Sequence, residues 1–196
     1  MEFAEVVRRR KMIRNYLDKP VDPDVLERIL DAARRAPSAG NSQGQYLVVV
    51  TDRGTRKAIA ELGNEAHYVA SGMSPWVSTA PIHIVVCVRE NDYHDRYREA
   101  DKLPDEGTEI DWPVPYWWVD AGATLMLVLL AAVNEGLGAG LFGSHRLEGL
   151  KELLEIPDDV APIGIVTIGH AASTATTGSA KRSRRAPEQV VHREHW

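Results

Sequence analysis

One stretch decides the fold: Trp117-Trp118-Val119-Asp120, then AGATLMLVLLAAV at 121–133, then Asn134-Glu135-Gly136. Alanine, leucine and methionine dominate the apolar run, and these residues favour helix. Asp120 is a suitable N-cap for such a helix, and Gly136 is a suitable stop just after its last turn. The pattern therefore predicts a helix over the apolar run, and that run is shorter than the ~20 apolar residues of a membrane span.

This central helix is apolar around its whole circumference, so every face of it must be buried. A chain of this size has little room to enclose such a helix completely. We therefore expect a homodimer in which the helix packs at or beside the subunit interface. An ordinary core helix in a monomer remains the alternative.

The composition is that of a globular protein, and the length favours a single domain over residues 1–196. The chain is 44% hydrophobic and 26% charged, which suffices for a sizeable core. Residues 91–116 form a charged, aromatic and proline-bearing excursion, which we expect to be a lid-like insertion that sets specificity. Residues from about 186 to 196 look like a C-terminal arm that packs on the partner subunit.

Charge and cysteine content limit the partners and the compartment. The net charge is −5, from 23 basic and 28 acidic residues, which argues against general nucleic-acid or anionic-membrane binding. A single cysteine, Cys87, excludes an internal disulfide and is compatible with a cytoplasmic protein. Its position in the apolar run Ile82–Val88 predicts a buried small hydrophobe rather than a nucleophile.

Three clear strands are expected, at Tyr46–Val50, Pro81–Val88 and Ala161–Ile168, and the glycine-rich stretch Leu137–Phe142 suits a fourth strand that tolerates close backbone approach. Helices interleave with them irregularly, one of them capped by Asp22 or Asp24 and ending near Arg35. This order fits an α+β fold with a central mixed β-sheet flanked by helices better than a doubly wound parallel sheet.

Several common motifs can be set aside. The segment Gly138–Gly143 matches G-x-G-x-x-G, but it follows a helix and enters a probable strand, whereas a dinucleotide fingerprint leaves a strand and opens a helix. The chain has no phosphate-binding P-loop and no nucleophile elbow. Its histidines are scattered, and His192 with His195 alone predicts no metal site.

Two basic clusters lie near opposite ends of this acidic chain. One contains Arg10, Lys11 and Arg14, and the other contains Arg182, Arg184 and Arg185. Guanidinium groups suit phosphate because they donate two parallel charge-assisted hydrogen bonds to its oxygens. If folding brings the clusters together, they form a site for one phosphorylated ligand; the alternative is two solvated charge runs. The polar loop between them in sequence, 37–43, suits a small ligand with hydroxyls and ring edges.

These segments together resemble the FMN-dependent nitroreductase family. The resemblance lies in Arg10–Tyr16 followed by Lys19-Pro20-Val21, in Ala36–Gln43 after an Ala-Ala-Arg turn, in Gly136–Gly143, in Val166–Gly169, and in the basic tail ending in Val190-Val191. The matches occur in family order and cover nearly the whole chain.

The resemblance implies a homodimeric α+β sandwich with two FMN sites at the subunit interface. By position, the FMN phosphate and ribityl chain would contact Arg10, Lys11, Met12, Arg14, Arg182 and Arg184. The opposite subunit would contribute Pro37, Ser38, Ala39, Asn41 and Gln43. Backbone groups beside the flavin ring would come from Leu141, Phe142, Gly143 and Ser144. Arg14 would also be catalytic, because a cation near N1 and the C2 carbonyl stabilises the reduced flavin.

Two positions depart from the family pattern. Met12 replaces the usual small hydroxyl residue, so only its backbone can serve the cofactor. Gly44-Gln45 stands where Pro-Trp is common, which makes the rigidity of the loop doubtful.

The implied activity is hydride transfer from NADH or NADPH through FMN to nitroaromatic, quinone or related electron-poor acceptors, by a ping-pong mechanism. One alternative keeps the fold but changes the flavin chemistry to dehalogenation, desaturation, or use of a flavin or deazaflavin as substrate. Another is a non-catalytic module that binds a phosphorylated ligand. The sequence leaves the acceptor and the choice of nicotinamide open.

Overall fold

A computed structural model describes residues 1–104, 107–143, 147–172 and 182–196. Its helices are α1 (Phe3–Arg9), α2 (Pro23–Ala33), α3 (Arg53–Leu62), α4 (Glu65–Ala70), α5 (Trp76–Thr79), α6 (Asn91–Tyr97), α7 (Tyr116–Asn134) and α8 (Leu150–Leu153), with short 3-10 turns at Ala39–Asn41 and Pro187–Gln189. Its strands are β1 (Gln45–Val50), β2 (Ile82–Arg89), β3 (Gly138–Phe142) and β4 (Val160–Gly169).

The four strands form one sheet in the order β1-β2-β4-β3. All three pairings are antiparallel, with Val48 opposite Val85, Ile84 opposite Val166, and Leu141 also opposite Val166. The expected mixed sheet is therefore wrong in this detail. Among the described residues the parallel contact is a single isolated bridge between Met12 and Ala139, because the N-terminal segment runs beside β3 for only one residue pair.

Both faces of the sheet are covered by helices, which confirms the α+β sandwich. On one face Ile84 and Val166 pack with Ile29 of α2 and with Val128 and Leu129 of α7. The other face packs against α3, α5 and α8, and there the side chains of Val85, Cys87, Ile165, Ile59, Trp76, Val77 and Leu150 meet. Burial raises the pKa of the Cys87 thiol to about 12, so the thiol stays protonated and behaves as a small hydrophobe, as predicted.

The central helix α7 is longer than predicted and begins four residues before Asp120. Asp120 is not its N-cap, because Pro115 holds that position and the Asp120 carboxylate instead reaches a loop distant in sequence. Gly136 ends the helix as expected, with a positive φ of 78° one residue beyond the cap. Asp22 caps α2 by accepting a hydrogen bond from the Asp24 amide.

By length and composition alone, α7 is the one helix among the described residues that could cross a membrane. Its inner face packs against α2 and the sheet, which is the environment of a core helix. Its outer face is apolar and uncovered in the single chain, since Trp118, Val119 and Met126 are 46%, 53% and 43% exposed.

Candidate functional site

A cavity of about 660 Å³ lies where the end of β3 meets the N-terminal basic segment. We call it the Arg14 cavity. Its walls come from the basic segment, the end of α3 with the loop and helix after it, α5, and the end of β3; the lining residues are Arg14, Leu62, Gly63, Asn64, Glu65, His67, Tyr68, Met73, Trp76, Val77, Leu141, Phe142, Gly143 and Leu147. Its size is that of a pocket for a cofactor-sized ligand.

Arg14 provides the positive charge of this cavity. Its guanidinium carbon lies 5.5 Å from the centroid of the Trp76 ring, so the ring face partly balances the charge. Trp76 in turn meets Phe142 edge to face, with ring centroids 5.7 Å apart. Within the described part of the chain Arg14 makes no ion pair. The cavity therefore offers a half-buried cation next to an aromatic wall.

The basic segment is fixed to the sheet by backbone contacts. The Ile13 amide donates to the carbonyl of Ala139 at 2.9 Å. The buried Tyr16 hydroxyl lies 3.0 Å from the Ile13 carbonyl and 2.9 Å from Oγ1 of Thr167. A side chain at Gly140 would collide with the Ile13 carbonyl, so glycine is required for this close approach. These contacts bring Arg14 to the end of β3.

The side chain of Met12 belongs to the core rather than to a ligand site. That side chain packs with the buried cluster between the sheet and α7. Only its backbone can therefore serve a cofactor, as the sequence suggested. Arg10 is half-buried and Lys11 exposed, and neither lines the Arg14 cavity; Lys11 instead borders a separate cavity of about 470 Å³ with Arg8 and Arg9.

The predicted loop 37–43 has a tightly determined conformation. Asn41 and Gln43 have positive φ values of 58° and 53°, which are uncommon for residues with a side chain. Ser38 Oγ accepts a hydrogen bond from the Gln43 amide at 2.9 Å, which closes the loop on itself. Non-glycine residues hold such angles only where their surroundings enforce them, and such sites are often functional.

Three hydrogen bonds from other elements fix the loop in place. The buried Asp120 carboxylate accepts the Ala39 amide at 2.8 Å. Arg96 Nε of α6 donates to the Gly40 carbonyl at 2.9 Å, and Gln45 Nε2 donates to the Pro37 carbonyl at 2.9 Å. The central helix, the insertion and β1 thus each contribute one anchor.

Gly44-Gln45 does not loosen this loop. A Cβ at Gly44 would lie 2.6 Å from the Tyr93 ring and 2.9 Å from the Arg89 carbonyl, so the absent side chain lets the loop pack directly on α6. Gln45 supplies the anchor to Pro37. The loop is therefore rigid although Gly44-Gln45 replaces the common Pro-Trp, because packing in the fold holds it.

The single chain does not bring all of the predicted residues together. Leu141, Phe142 and Gly143 line the Arg14 cavity, whereas the lining includes no residue of 37–43. Arg182 and Arg184 are exposed, and neither forms an ion pair with another residue in the described ranges. Ser144 lies outside the described residues. Val190, Val191 and Trp196 of the C-terminal arm are also exposed.

Sequence reasoning missed one wall of the cavity, namely Leu62 to Met73 with Trp76 and Val77. No periodic pattern marks this segment, but one local signal was available. Gly63 follows a helical stretch, and a side chain there would collide with the Phe142 ring, so the glycine marks the approach of α3 to the end of β3.

The insertion contains an aromatic cluster fixed by an ionic contact. Trp112 packs against Tyr97 and Trp117, with centroids 4.6 Å and 5.6 Å away, and Trp117 is buried in the core. His94 Nδ1 contacts the Glu109 carboxylate, which also accepts a hydrogen bond from Trp112 Nε1 at 2.8 Å. This contact with Glu109, helped by Glu90, raises the pKa of His94.

Metal chemistry has no visible support in the described ranges. They contain no group of three or more His, Cys, Asp or Glu side chains placed to hold an ion. His83 is buried in β2, where burial lowers its pKa to about 4, and its Nε2 lies 2.7 Å from the Val77 carbonyl. It is therefore neutral and structural. The residues that fit a ligand are the cation, the aromatic wall and the strand end of the Arg14 cavity.

Comparison with known proteins agrees with this geometry. The sequence model of the Nitroreductase family matches residues 7–170. The chain is 33% identical over 188 residues to the FMN reductase [NAD(P)H] of Bacillus subtilis, covering 95% of this chain and 71% of that protein. It is 27% identical to the oxygen-insensitive NADPH nitroreductase of Salmonella typhimurium, covering 95% and 71%. The solved structure of the hypothetical oxidoreductase YcnD from Bacillus subtilis superposes with a TM-score of 0.77 at 32% identity, covering 100% of this chain and 75% of that one.

Proposed function

Since this chain belongs to the nitroreductase family, we propose that it is an FMN-dependent oxidoreductase that uses NADH or NADPH to reduce small electron-poor acceptors. The observation that carries this proposal is the Arg14 cavity. It combines a half-buried cation that makes no ion pair within the described residues, an aromatic wall and the end of β3, and the family resemblance assigns Arg14, Leu141, Phe142 and Gly143 among them to the flavin.

The residues present fit FMN. The cavity has a suitable volume, and Gly143 at the end of β3 offers backbone groups without a side chain in the way. We assign the phosphate and ribityl chain to Arg10, Lys11, the Met12 backbone, Arg182 and Arg184. When bound, FMN supplies the hydride chemistry, and the protein supplies position and electrostatics.

The chain's own side chains have two roles in this scheme. Arg14 places a permanent positive charge where negative charge would develop on reduction, and such preorganised charge is worth most where water is excluded. Trp76 and Phe142 provide that exclusion, because they form a continuous apolar wall beside the guanidinium.

We further propose that the active unit is a homodimer. The outer face of α7 leaves Trp118, Val119 and Met126 exposed, and on α1 beside it Phe3 is 74% exposed. A monomer rarely leaves so many large apolar side chains of two packed helices in water. The loop 37–43 is rigid yet absent from the Arg14 cavity of its own chain, which supports a role in the site of the partner. The arm 186–196 would pack on that partner.

In our proposal the donor and the acceptor use the Arg14 cavity in turn, which makes the cycle ping-pong. Asn64, His67, Tyr68 and Met73 stand around the cavity and would contact the acceptor. No described residue of the insertion 91–116 lines this cavity; because Arg96 of the insertion holds the loop 37–43, we propose that the insertion would reach the acceptor from the partner subunit. Nitroaromatics and quinones suit this wall because they are flat and electron-poor. A single buried cysteine supports a cytoplasmic location.

The visible spectrum of the purified protein tests the proposal. We expect a yellow protein with one flavin per chain, which bleaches anaerobically on addition of NADH or NADPH and regains colour on addition of a quinone or nitroaromatic. A colourless protein that neither retains added FMN nor oxidises NAD(P)H would support a non-catalytic phosphate-binding module instead. A yellow protein that no nicotinamide reduces would point to different flavin chemistry.

A further inference from the structure

A further cavity, of about 750 Å³, lies on the other side of α5 from the Arg14 cavity. Trp76 and Val77 of α5 line the Arg14 cavity, whereas Ser78 and Thr79 line this one, and the two cavities share no lining residue. We call it the Arg56 cavity. Its walls come from the segment 16–26, the end of β1 with the start of α3, and the residues between α5 and β2.

Positive charge dominates this cavity. Four cations line it, Lys19, Arg53, Arg56 and Lys57, against the single carboxylate of Asp18. The nearby carboxylate of Asp52 is already engaged, since it accepts hydrogen bonds from Thr55 N and Oγ1 at 2.7 and 2.9 Å.

Few of these four cations pair with an acidic side chain, so most of their positive charge remains available to a ligand. Lys57 has only a loose, exposed contact with Glu61 at 3.8 Å. Within the described residues Lys19 and Arg53 make no ion pair. Four like charges around one concavity create a local positive potential in an acidic protein.

Arg56 is a prepositioned donor at the floor of the cavity. Its Nη1 donates to the carbonyls of Ala80 and Ser78 at 2.5 and 3.3 Å, and its Nε donates to that of Thr51 at 3.3 Å. Its Nη2 makes no hydrogen bond to any residue that the structure describes. Burial, and then repulsion from Arg53, lowers the pKa of Arg56, while Asp52 and Asp18 raise it; a bound anion would oppose the repulsion from Arg53.

Another part of the lining is apolar. Pro20, Val21, Leu26 and Ile82 line it, and Ile82 is almost fully buried. A ligand that fills the whole cavity must therefore carry an anionic group at one end and an apolar body at the other. A dianionic phosphate matches several converging cations better than a carboxylate does, because guanidinium forks bind it through paired charge-assisted hydrogen bonds.

We propose that the Arg56 cavity is a second ligand site, which binds a small organic phosphate monoester with an apolar body, independently of the flavin. The phosphate contacts Arg56 Nη2, Arg53 and Lys57, and the apolar body packs against Val21 and Leu26. The site does not rest on the proposed activity, because it shares no residue with the Arg14 cavity.

Isothermal titration of the full chain with phenyl phosphate, with and without saturating FMN, tests this site. Phenol and inorganic phosphate serve as half-ligands. We expect one phenyl phosphate per chain in either condition, bound at least tenfold more tightly than either half-ligand.

Arg53→Gln and Lys57→Gln should each weaken the binding of phenyl phosphate by roughly tenfold, because each removes one charge-assisted contact. Arg35→Gln is the matched control, because Arg35 is exposed, pairs with Asp31 and lies outside the cavity.

Three results would overturn the proposal. The first is no saturable binding of phenyl phosphate in either condition. The second is displacement of phenyl phosphate by FMN, which would assign the binding to the flavin phosphate site. The third is equal weakening by Arg35→Gln and by the two cavity variants, which would indicate non-specific charge. All three substituted side chains are on the surface, so the variants should fold normally.

Discussion

We assign both the loop 37–43 and the basic segment 10–14 to the flavin site, yet they differ in how the rest of the fold contacts them. The loop is anchored by Asp120, Arg96 and Gln45 and packed against Tyr93. The cations of the basic segment have no ionic partner in the described residues. The difference indicates that the loop keeps its conformation without a ligand. The positive charge of the basic segment, by contrast, is left for a ligand to neutralise.

This contrast has an energetic basis. The loop holds positive φ angles at Asn41 and Gln43, which cost on the order of 1–3 kcal/mol each and must be offset by its anchors. A half-buried cation such as Arg14 is only partly compensated by an aromatic face, which contributes about 0.5–2 kcal/mol. The loop thus has its hydrogen bonds without a ligand, whereas the charge of Arg14 is not balanced by any acidic side chain of the described residues.

The largest effect should come from removing that cation. Arg14→Ala should slow flavin reduction by NAD(P)H by on the order of 10²-fold, because one preorganised electrostatic contact is lost. FMN affinity should fall less, since the charge matters most after electrons arrive. Stopped-flow reduction at saturating FMN measures this, with Arg35→Ala as the control. An unchanged rate in fully loaded Arg14→Ala would remove Arg14 from the chemistry.

The next effect concerns the phosphate end of the site. Arg182→Ala and Arg184→Ala should each weaken FMN by about tenfold to a hundredfold, because a hydrogen bond to a charged group contributes roughly 1.5–3 kcal/mol. Riboflavin lacks the phosphate, so its affinity should change much less. Titration of both ligands into both variants is the measurement, and equal losses for the two ligands would place these arginines away from the phosphate.

A third prediction loosens the loop without changing any charge. In Gly44→Ala the new methyl would overlap the Tyr93 ring and the Arg89 carbonyl, so unfolding free energy should fall by about 1–3 kcal/mol. FMN should also dissociate faster, because the loop loses its packing. Urea unfolding and flavin release are the two readouts. Gly54→Ala, in the exposed first turn of α3, is the control; its new Cβ would meet only the end of the Asp52 side chain, at 3.1 Å, so it should cost much less than Gly44→Ala.

The smallest expected effect is a pH dependence of FMN release that acts through the loop 37–43. Contact with Glu109, and then with Glu90, raises the pKa of His94 on α6, the helix that carries Arg96. Because the folded-state pKa lies above the ordinary 6.5, this contact is fully present below about pH 6.5 and is lost as the pH rises through the raised value.

FMN should accordingly dissociate faster as the pH rises above about 6.5, by less than tenfold, since exposed ion pairs contribute at most about 1 kcal/mol. His94→Gln should abolish this rise. Release rates of the two proteins across this pH range provide the check. If the release rate of FMN depended on pH in the same way in the natural protein and in His94→Gln, His94 would not control the loop.

The same contrast explains what the sequence could predict. The strands and the core of α7 follow from their apolar runs, α2 follows from the spacing of its apolar residues, and glycines marked the end of α7 and the approach of β3. Asp120 was misassigned because its local context is that of an N-cap, while its real partner, the Ala39 amide, is 81 residues away. Local patterns contain no information about such a contact.

The wall formed by 62–77 was missed for a related reason. Its helices α4 and α5 have six and four residues, too few for a periodic signal. They become part of a site only because Gly63 and Phe142 meet in the fold. The mixed sheet was expected from the order of the elements, and order alone does not fix strand direction.

The central claim is that each flavin site combines the cations of one chain with the loop of its partner, and a mixed dimer tests it most directly. One chain carries Arg10→Ala and Arg14→Ala. The other carries Asn41→Pro, which is incompatible with the positive φ at that position. Each homodimer alone should bind FMN poorly while remaining folded by circular dichroism.

The isolated heterodimer should contain one doubly defective site and one fully intact site. Our account predicts that it binds one FMN and regains about half of the NAD(P)H oxidation rate of the natural dimer. If the cations and the loop served the same chain, both sites of the heterodimer would be defective. A heterodimer as inactive as the two parent homodimers would therefore contradict the account.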